Sequence, residues 1–210
     1  MARLFLIVPL ILIFLSDNVF ASSKIYLIRH ATVPMENPGW CSTQIAFKYK
    51  LTYNTTSVQI FDPDVVLRKI DHPETIDSVF CSPKLRAIQT ANLLFGNQVK
   101  LNINENLMEL DYPVIQLPLI KLPVKVWLTA SLISWMAGNS HNEKPTYKQR
   151  KQDLENYSNE LITFAETHEK TAVVAHGVVN RELIRILKRK GWKIVNRDGN
   201  GNLSVNCLIK

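Results

Sequence analysis

Short β-rich runs alternate with longer stretches of helical character along this chain. Lys24-Ile25-Tyr26-Leu27-Ile28-Arg29 is the first run and reads as a strand ending in Arg29-His30. Positions 31–57, with Pro34, Pro38 and Gly39, read as loop. Asp62 is placed to cap a helix through about Ile70, with Pro63 at its first position. Ile76 to Cys81 reads as a second strand, and Ser82-Pro83 opens a helix that stops at Gly96. A third strand follows from Val99 to Ile103. Pro113, Pro118 and Pro123 then punctuate an apolar stretch, and Val124 to Ala137 reads as a helix holding Trp127, Trp135 and Met136. A polar helix runs from about Thr146 to His168, a strand from Thr171 to Ala175, and a helix from Gly177 to Lys190. The last strands lie near Lys193–Asn196 and Leu203–Ile209. This alternation predicts an α/β fold: a three-layer sandwich with a central, largely parallel sheet.

The N-terminus has a different pattern. Met1-Ala2-Arg3 is followed by an unbroken apolar run from Leu4 to Leu15, then Ser16-Asp17-Asn18, then Val19-Phe20-Ala21. That layout matches a secretory signal peptide cleaved near Ala21, and the run is short for a membrane span, which needs ~20 residues. The alternative is an uncleaved anchor. The reading is one domain over 22–210 in an exported protein, periplasmic or secreted.

Composition is that of a globular protein, with 46% hydrophobic and 20% charged residues. The formal charge of +7 favours an anionic substrate or surface. Part of the excess lies in Arg181, Arg185, Lys188, Arg189, Lys190 and Lys193, which read as a solvated helix face. No basic motif rich in aromatic residues points to nucleic acid. Cys41, Cys81 and Cys207 are odd in number, so at least one is free or pairs between chains; Cys81 and Cys207 sit in apolar strands. No metal-binding spacing occurs, and neither metal nor cofactor is expected. Asn54-Thr55-Thr56 has the form of a glycosylation acceptor.

Candidate chemistry gathers where strands end. His30 and His176 each follow a predicted strand, and ligands of open α/β sheets bind beyond strand carboxyl ends. A lone histidine there is usually structural; two, with Arg29 beside one, shift the balance. Ser82-Pro83 places N–H groups at a helix start, and Arg86 one turn inside can fork onto a phosphate.

These blocks resemble the histidine phosphatase superfamily, the phosphoglycerate mutase-like group. Leu27-Ile28-Arg29-His30-Ala31-Thr32, the Ser-Pro-x-x-Arg-x-x-Gln-Thr-Ala segment at 82–91, Leu107-Met108-Glu109 and Val173-Val174-Ala175-His176-Gly177 occur in the family's order. The resemblance implies a metal-independent phosphatase in which His30 attacks phosphorus. Arg29, Arg86 and His176 would bind the phosphoryl oxygens, joined by the N–H groups that begin at Gly177. Glu109 would act as proton donor, with Asp111 near enough to compete for that role. Thr32 is a candidate hydroxyl contact. Ala31 stands where the family has glycine, and the loop at 32–57 lacks the usual asparagine and Gly-x-x-Gln pattern, with Asn37 an approximate match. This departure and the leader argue against a glycolytic mutase. A phosphotransferase and a weakly catalytic phosphate-binding module are the alternatives. The expected partner is a small phosphorylated substrate. Segment 112–145 is either a specificity lid or core, and Lys121 and Lys125 within it leave room for a membrane-surface role.

Overall fold

A computed structural model of the chain describes residues 22–96, 99–109, 111–139 and 145–210. The leader read at 1–21 lies outside the described residues. In chain order the elements are β1 (Lys24–Arg29), β2 (Trp40–Cys41), α1 (Thr43–Thr55), α2 (Asp64–Leu67), β3 (Ser78–Cys81), α3 (Leu85–Phe95) and β4 (Lys100–Ile103). Then come β5 (Leu122–Pro123), α4 (Val124–Met136), α5 (Tyr147–His168), β6 (Lys170–Ala175), α6 (Gly177–Arg189), β7 (Lys193–Arg197) and β8 (Val205–Ile209).

The main sheet has the order β4-β3-β6-β1-β8-β7. Strands β4, β3, β6 and β1 pair in parallel, and β8 runs against both of its neighbours. Side chains alternate across the sheet and sort the core into two halves. Ile25, Leu27, Val173, Ala175 and Leu208 pack under α5 and α6. Tyr26, Ile28, Ala172, Val174 and Cys207 face α3 and the short α2. Burial on both faces is why β1 and β6 read as near-continuous apolar runs. The expected three-layer sandwich with a largely parallel sheet is present. Thr146 and Gln149 form a reciprocal capping box at the start of α5. On α6, Leu183, Ile186 and Leu187 are buried while Arg181, Arg185, Lys188 and Arg189 stand in solvent, so most of the basic cluster is a helix face.

The main departure from the sequence reading is positions 31–57, which hold β2 and the helix α1 instead of loop. This helix is rich in Tyr and Thr, has no acid in its first turn, and lacks a side-chain cap. Its support is tertiary: Thr43 and Ala46 are buried, and Ala46 joins Cys41, Val114, Val124 and Trp127 in a small separate cluster. We call this assembly of β2, α1, the 112–121 loop, β5 and α4 the cap. Its edge pairs Trp40 with Pro123 and Cys41 with Leu122, and Trp127 Nε1 donates to the Cys41 carbonyl at 2.8 Å. Trp127 and Trp135 are buried, so α4 is both core and part of the cap.

Smaller differences are local. The N-cap of α2 is Pro63 and not Asp62, although Asp62 accepts the Asp64 N–H at 3.0 Å; regular helix covers only Asp64–Leu67 and turns lead on to Ile70. Helix α3 begins at Leu85, behind an N-cap at Lys84. Strand β3 starts at Ser78 because Pro73–Thr75 forms a 3-10 turn, and β8 starts after Leu203, which has a left-handed backbone. All three cysteines are free and buried.

Candidate active site

Three neighbouring strands deliver the central groups. Arg29 of β1 is in register with Ala175 of β6, so the residues that follow, His30 and His176, stand side by side. Their rings meet edge to face with centroids 5.1 Å apart. Ser82 leaves β3 at the same end, its N–H donating to the Val174 carbonyl, and its Oγ lies 2.8 Å from His176 Nε2. All three are buried.

The tautomer of His30 follows from its partner. Its Nδ1 lies 2.7 Å from the Ala31 carbonyl oxygen. A carbonyl can only accept, so Nδ1 carries the proton and Nε2 keeps the lone pair. Burial first, then the adjacent His176, push the His30 pKa down to about 3. The imidazole is therefore neutral near pH 7. Asn202 steadies this arrangement, donating its Nδ2 to the carbonyls of His30 at 2.9 Å and Ala31 at 3.2 Å. From the other side, Thr90 Oγ1 accepts the Ala31 N–H at 2.9 Å and donates to the Arg86 carbonyl. Burial, with Arg86, Lys84 and Arg29 nearby, also holds His176 well below the ordinary histidine range.

Two guanidinium groups flank the histidines. Arg86 is fully buried, donates to Glu109 Oε2 and, at 3.1 Å, to Asn54 Oδ1, and sits 4.9 Å above the centre of the Tyr53 ring. The same Glu109 oxygen is 3.8 Å from His176 Nδ1. Arg29 donates to the Asn200 carbonyl at 2.5 Å and crosses the start of α6. A Cβ at Gly177 would lie 3.4 Å from Arg29 Nε and 3.5 Å from Cζ, so the missing side chain makes room for the guanidinium. Among the described residues, the buried Nε atoms of both arginines have no hydrogen-bond acceptor. Paired cationic donors with spare hydrogen-bonding capacity suit an anionic, oxygen-rich ligand.

The site opens into a cavity of about 540 Å³ whose walls include Arg29, Glu109, Tyr53, Asn54, Lys84 and Tyr112. Of the residues singled out in the sequence, His30, Arg29, Arg86, Glu109, His176 and Gly177 come together here. Thr32, two residues after His30, is exposed, and its carbonyl accepts the Gln59 N–H. Asp111 pairs with Lys50 at 3.1 Å, so Glu109 is the carboxylate next to Arg86 and His176. Asn37 lines the cavity, and its side chain accepts the Gly39 N–H. The sequence reading missed Tyr53, Asn202 and the part played by Asn54, which it read only as a glycosylation acceptor. The i, i+4 spacing of Tyr49 and Tyr53 was the available signal, once α1 is known to be a helix. Among the described residues, no group of three or more His, Cys, Asp or Glu could hold a metal ion.

The sequence model of the histidine phosphatase superfamily (branch 1) matches residues 66–209. The chain belongs to the histidine phosphatase superfamily. The matched span holds Arg86, Glu109 and His176; Arg29 and His30 precede it and reach the site because β1 lies between β6 and β8. Solved structures share the fold. A protein described as mycobacterial hydrolase 1 aligns at TM-score 0.53 and 15% identity, covering 90% of this chain and 91% of its own. A phosphoserine phosphatase variant from Entamoeba histolytica, in complex with phosphoserine, aligns at 0.50 and 15%, covering 88% and 89%. Among curated proteins, no sequence matches this histidine phosphatase superfamily member.

Proposed function

We propose that the protein is a phosphatase that hydrolyses phosphomonoesters through a phosphohistidine on His30. The observation that carries this reading is the Nδ1 contact of His30 with the Ala31 carbonyl, which leaves a neutral ring with its Nε2 lone pair available. Nε2 attacks phosphorus as the bond to the leaving oxygen breaks. Arg29, Arg86 and His176 take the charge that spreads over the phosphoryl oxygens. In the resting site Glu109 rests on Arg86. An incoming phosphate competes for that guanidinium and releases the Glu109 carboxyl to carry a proton. Glu109 gives that proton to the leaving oxygen, then takes one from the water that cleaves the phosphorus–nitrogen bond. None of these steps requires a metal ion.

Brief reaction with labelled substrate should leave an acid-labile, base-stable label on His30. His30→Ala should abolish it, and label persisting at the unsubstituted level would end the proposal. Glu109→Gln should slow alkyl phosphates more than p-nitrophenyl phosphate, whose leaving group hardly needs a proton. We also propose export, supported by the basic start, short apolar run and small-residue end of residues 1–21. N-terminal sequencing of the exported protein should begin near Ser22; an intact Met1 in a membrane fraction would favour an anchor.

A further inference from the structure

Ten of the sixteen large apolar side chains exposed on the described surface belong to the cap. They stand on β2, α1, the 112–121 loop and α4, and the two helices also wall the cavity. Helix α4 is apolar on both sides. Trp127 and Trp135 point inward, while Val126 and Ile133, one heptad apart, stay 45% and 60% exposed. The adjoining loop turns at Leu119, which is fully exposed and has a φ of 68°. A leucine with a left-handed backbone and no burial is doubly unfavourable, and no described residue covers it.

The charge on these segments has one sign. Positions 37–61 and 112–139 contain Lys48, Lys50, Lys121 and Lys125 and no Asp or Glu. Glu36, Asp62 and Asp111 border them; Asp111 is paired with Lys50, and Asp62 accepts the Asp64 N–H. Exposed apolar tips among lysines complement anionic headgroups laid over acyl chains. A second copy of the same face would bring lysines against lysines, which disfavours a dimer there. No helix among the described residues is long and apolar enough to cross a membrane, so α4 would lie in the interfacial plane.

We propose that the cap is a docking face for an anionic lipid bilayer, which brings the walls of the cavity to headgroup level. The test is flotation of the full chain with phosphatidylcholine vesicles, with and without phosphatidylglycerol. Residues 1–21 are common to every variant, so differences between variants report on the cap. The unsubstituted chain should float with the anionic vesicles at low salt and detach at high salt. Leu119→Asn with Ile133→Asn, and separately Lys48→Glu with Lys121→Glu, should each lower the bound fraction by about tenfold. Asparagine tolerates the left-handed backbone at 119. Val195→Asn, at an exposed apolar position on β7, should change nothing. His30→Ala should float like the unsubstituted chain, and the cap variants should keep their turnover of soluble p-nitrophenyl phosphate, which separates docking from the phosphatase reading. No flotation, flotation that ignores both cap pairs, or a dimer in light scattering that the Leu119 and Ile133 changes dissolve would each overturn the proposal.

Discussion

At the residue scale, the site depends on keeping two buried histidines uncharged, and this links it to stability. The ordinary histidine pKa of 6.5 falls to about 3 for His30 in the folded chain. Below pH 6.5 the unfolded chain therefore takes up a proton that the folded chain refuses until about pH 3. The stability this represents is fully present above pH 6.5. It is lost as pH falls toward 3, at up to ~1.4 kcal/mol per pH unit for one such group. His176 acts in the same direction. Urea denaturation from pH 7 to 4 should show a shallower loss for His30→Gln than for the unsubstituted chain. Parallel curves would mean that His30 titrates alike in both states. The residues that the fold gathers at the site were legible in the sequence because they sit at strand and helix ends, in the order on which the family resemblance rests. Asn202 was not, because its contribution is two hydrogen bonds made across 171 and 172 positions of chain. No local period announces such a contact.

At the element scale, legibility followed the source of each element's stability. Strands β1 and β6 are buried on both faces and α5 carries its own capping box, so local sequence specified them. Helix α1 owes its place to the cap, and turn residues at 34–39 obscured it. Trp127 joins the cap's two sides, filling its small core and binding the Cys41 carbonyl. Trp127→Phe keeps most of the apolar contact but strands that buried acceptor. It should cost about 1–3 kcal/mol in urea denaturation. No measurable change would mean that another donor reaches the Cys41 carbonyl.

At the scale of the whole molecule, the sheet joins the two ends of the described chain. Strand β1 lies between β6 and β8, with Ser23 accepting the Lys210 N–H and Glu169 accepting that of Lys24. The segment bearing His30 thus finds its neighbours only after nearly the whole sequence is available. Contacts of such separation slow folding. A late-folding chain also suits the proposed export, in which the leader is handled before β1 docks. The sequence conveyed the layers and most of the strand directions, since alternation of strands with helices constrains both. It did not convey that the cap has its own core, because that cluster is assembled from segments some 70 positions apart that carry no common pattern.

The burial of all three thiols offers a kinetic probe of this division. Cys41 belongs to the cap's cluster, whereas Cys81 and Cys207 belong to the sheet. Burial raises the pKa of each, to about 12 for Cys81, so none is reactive while covered. Modification by a thiol reagent therefore has to wait for the covering structure to open. If the cap opens by itself, Cys41 should be labelled first under native conditions, with Cys81 and Cys207 following at the slower rate of sheet opening. Trp127→Phe should accelerate Cys41 alone. Mass spectrometry of the time course would resolve the three rates, and equal rates would mean that cap and sheet open as one unit.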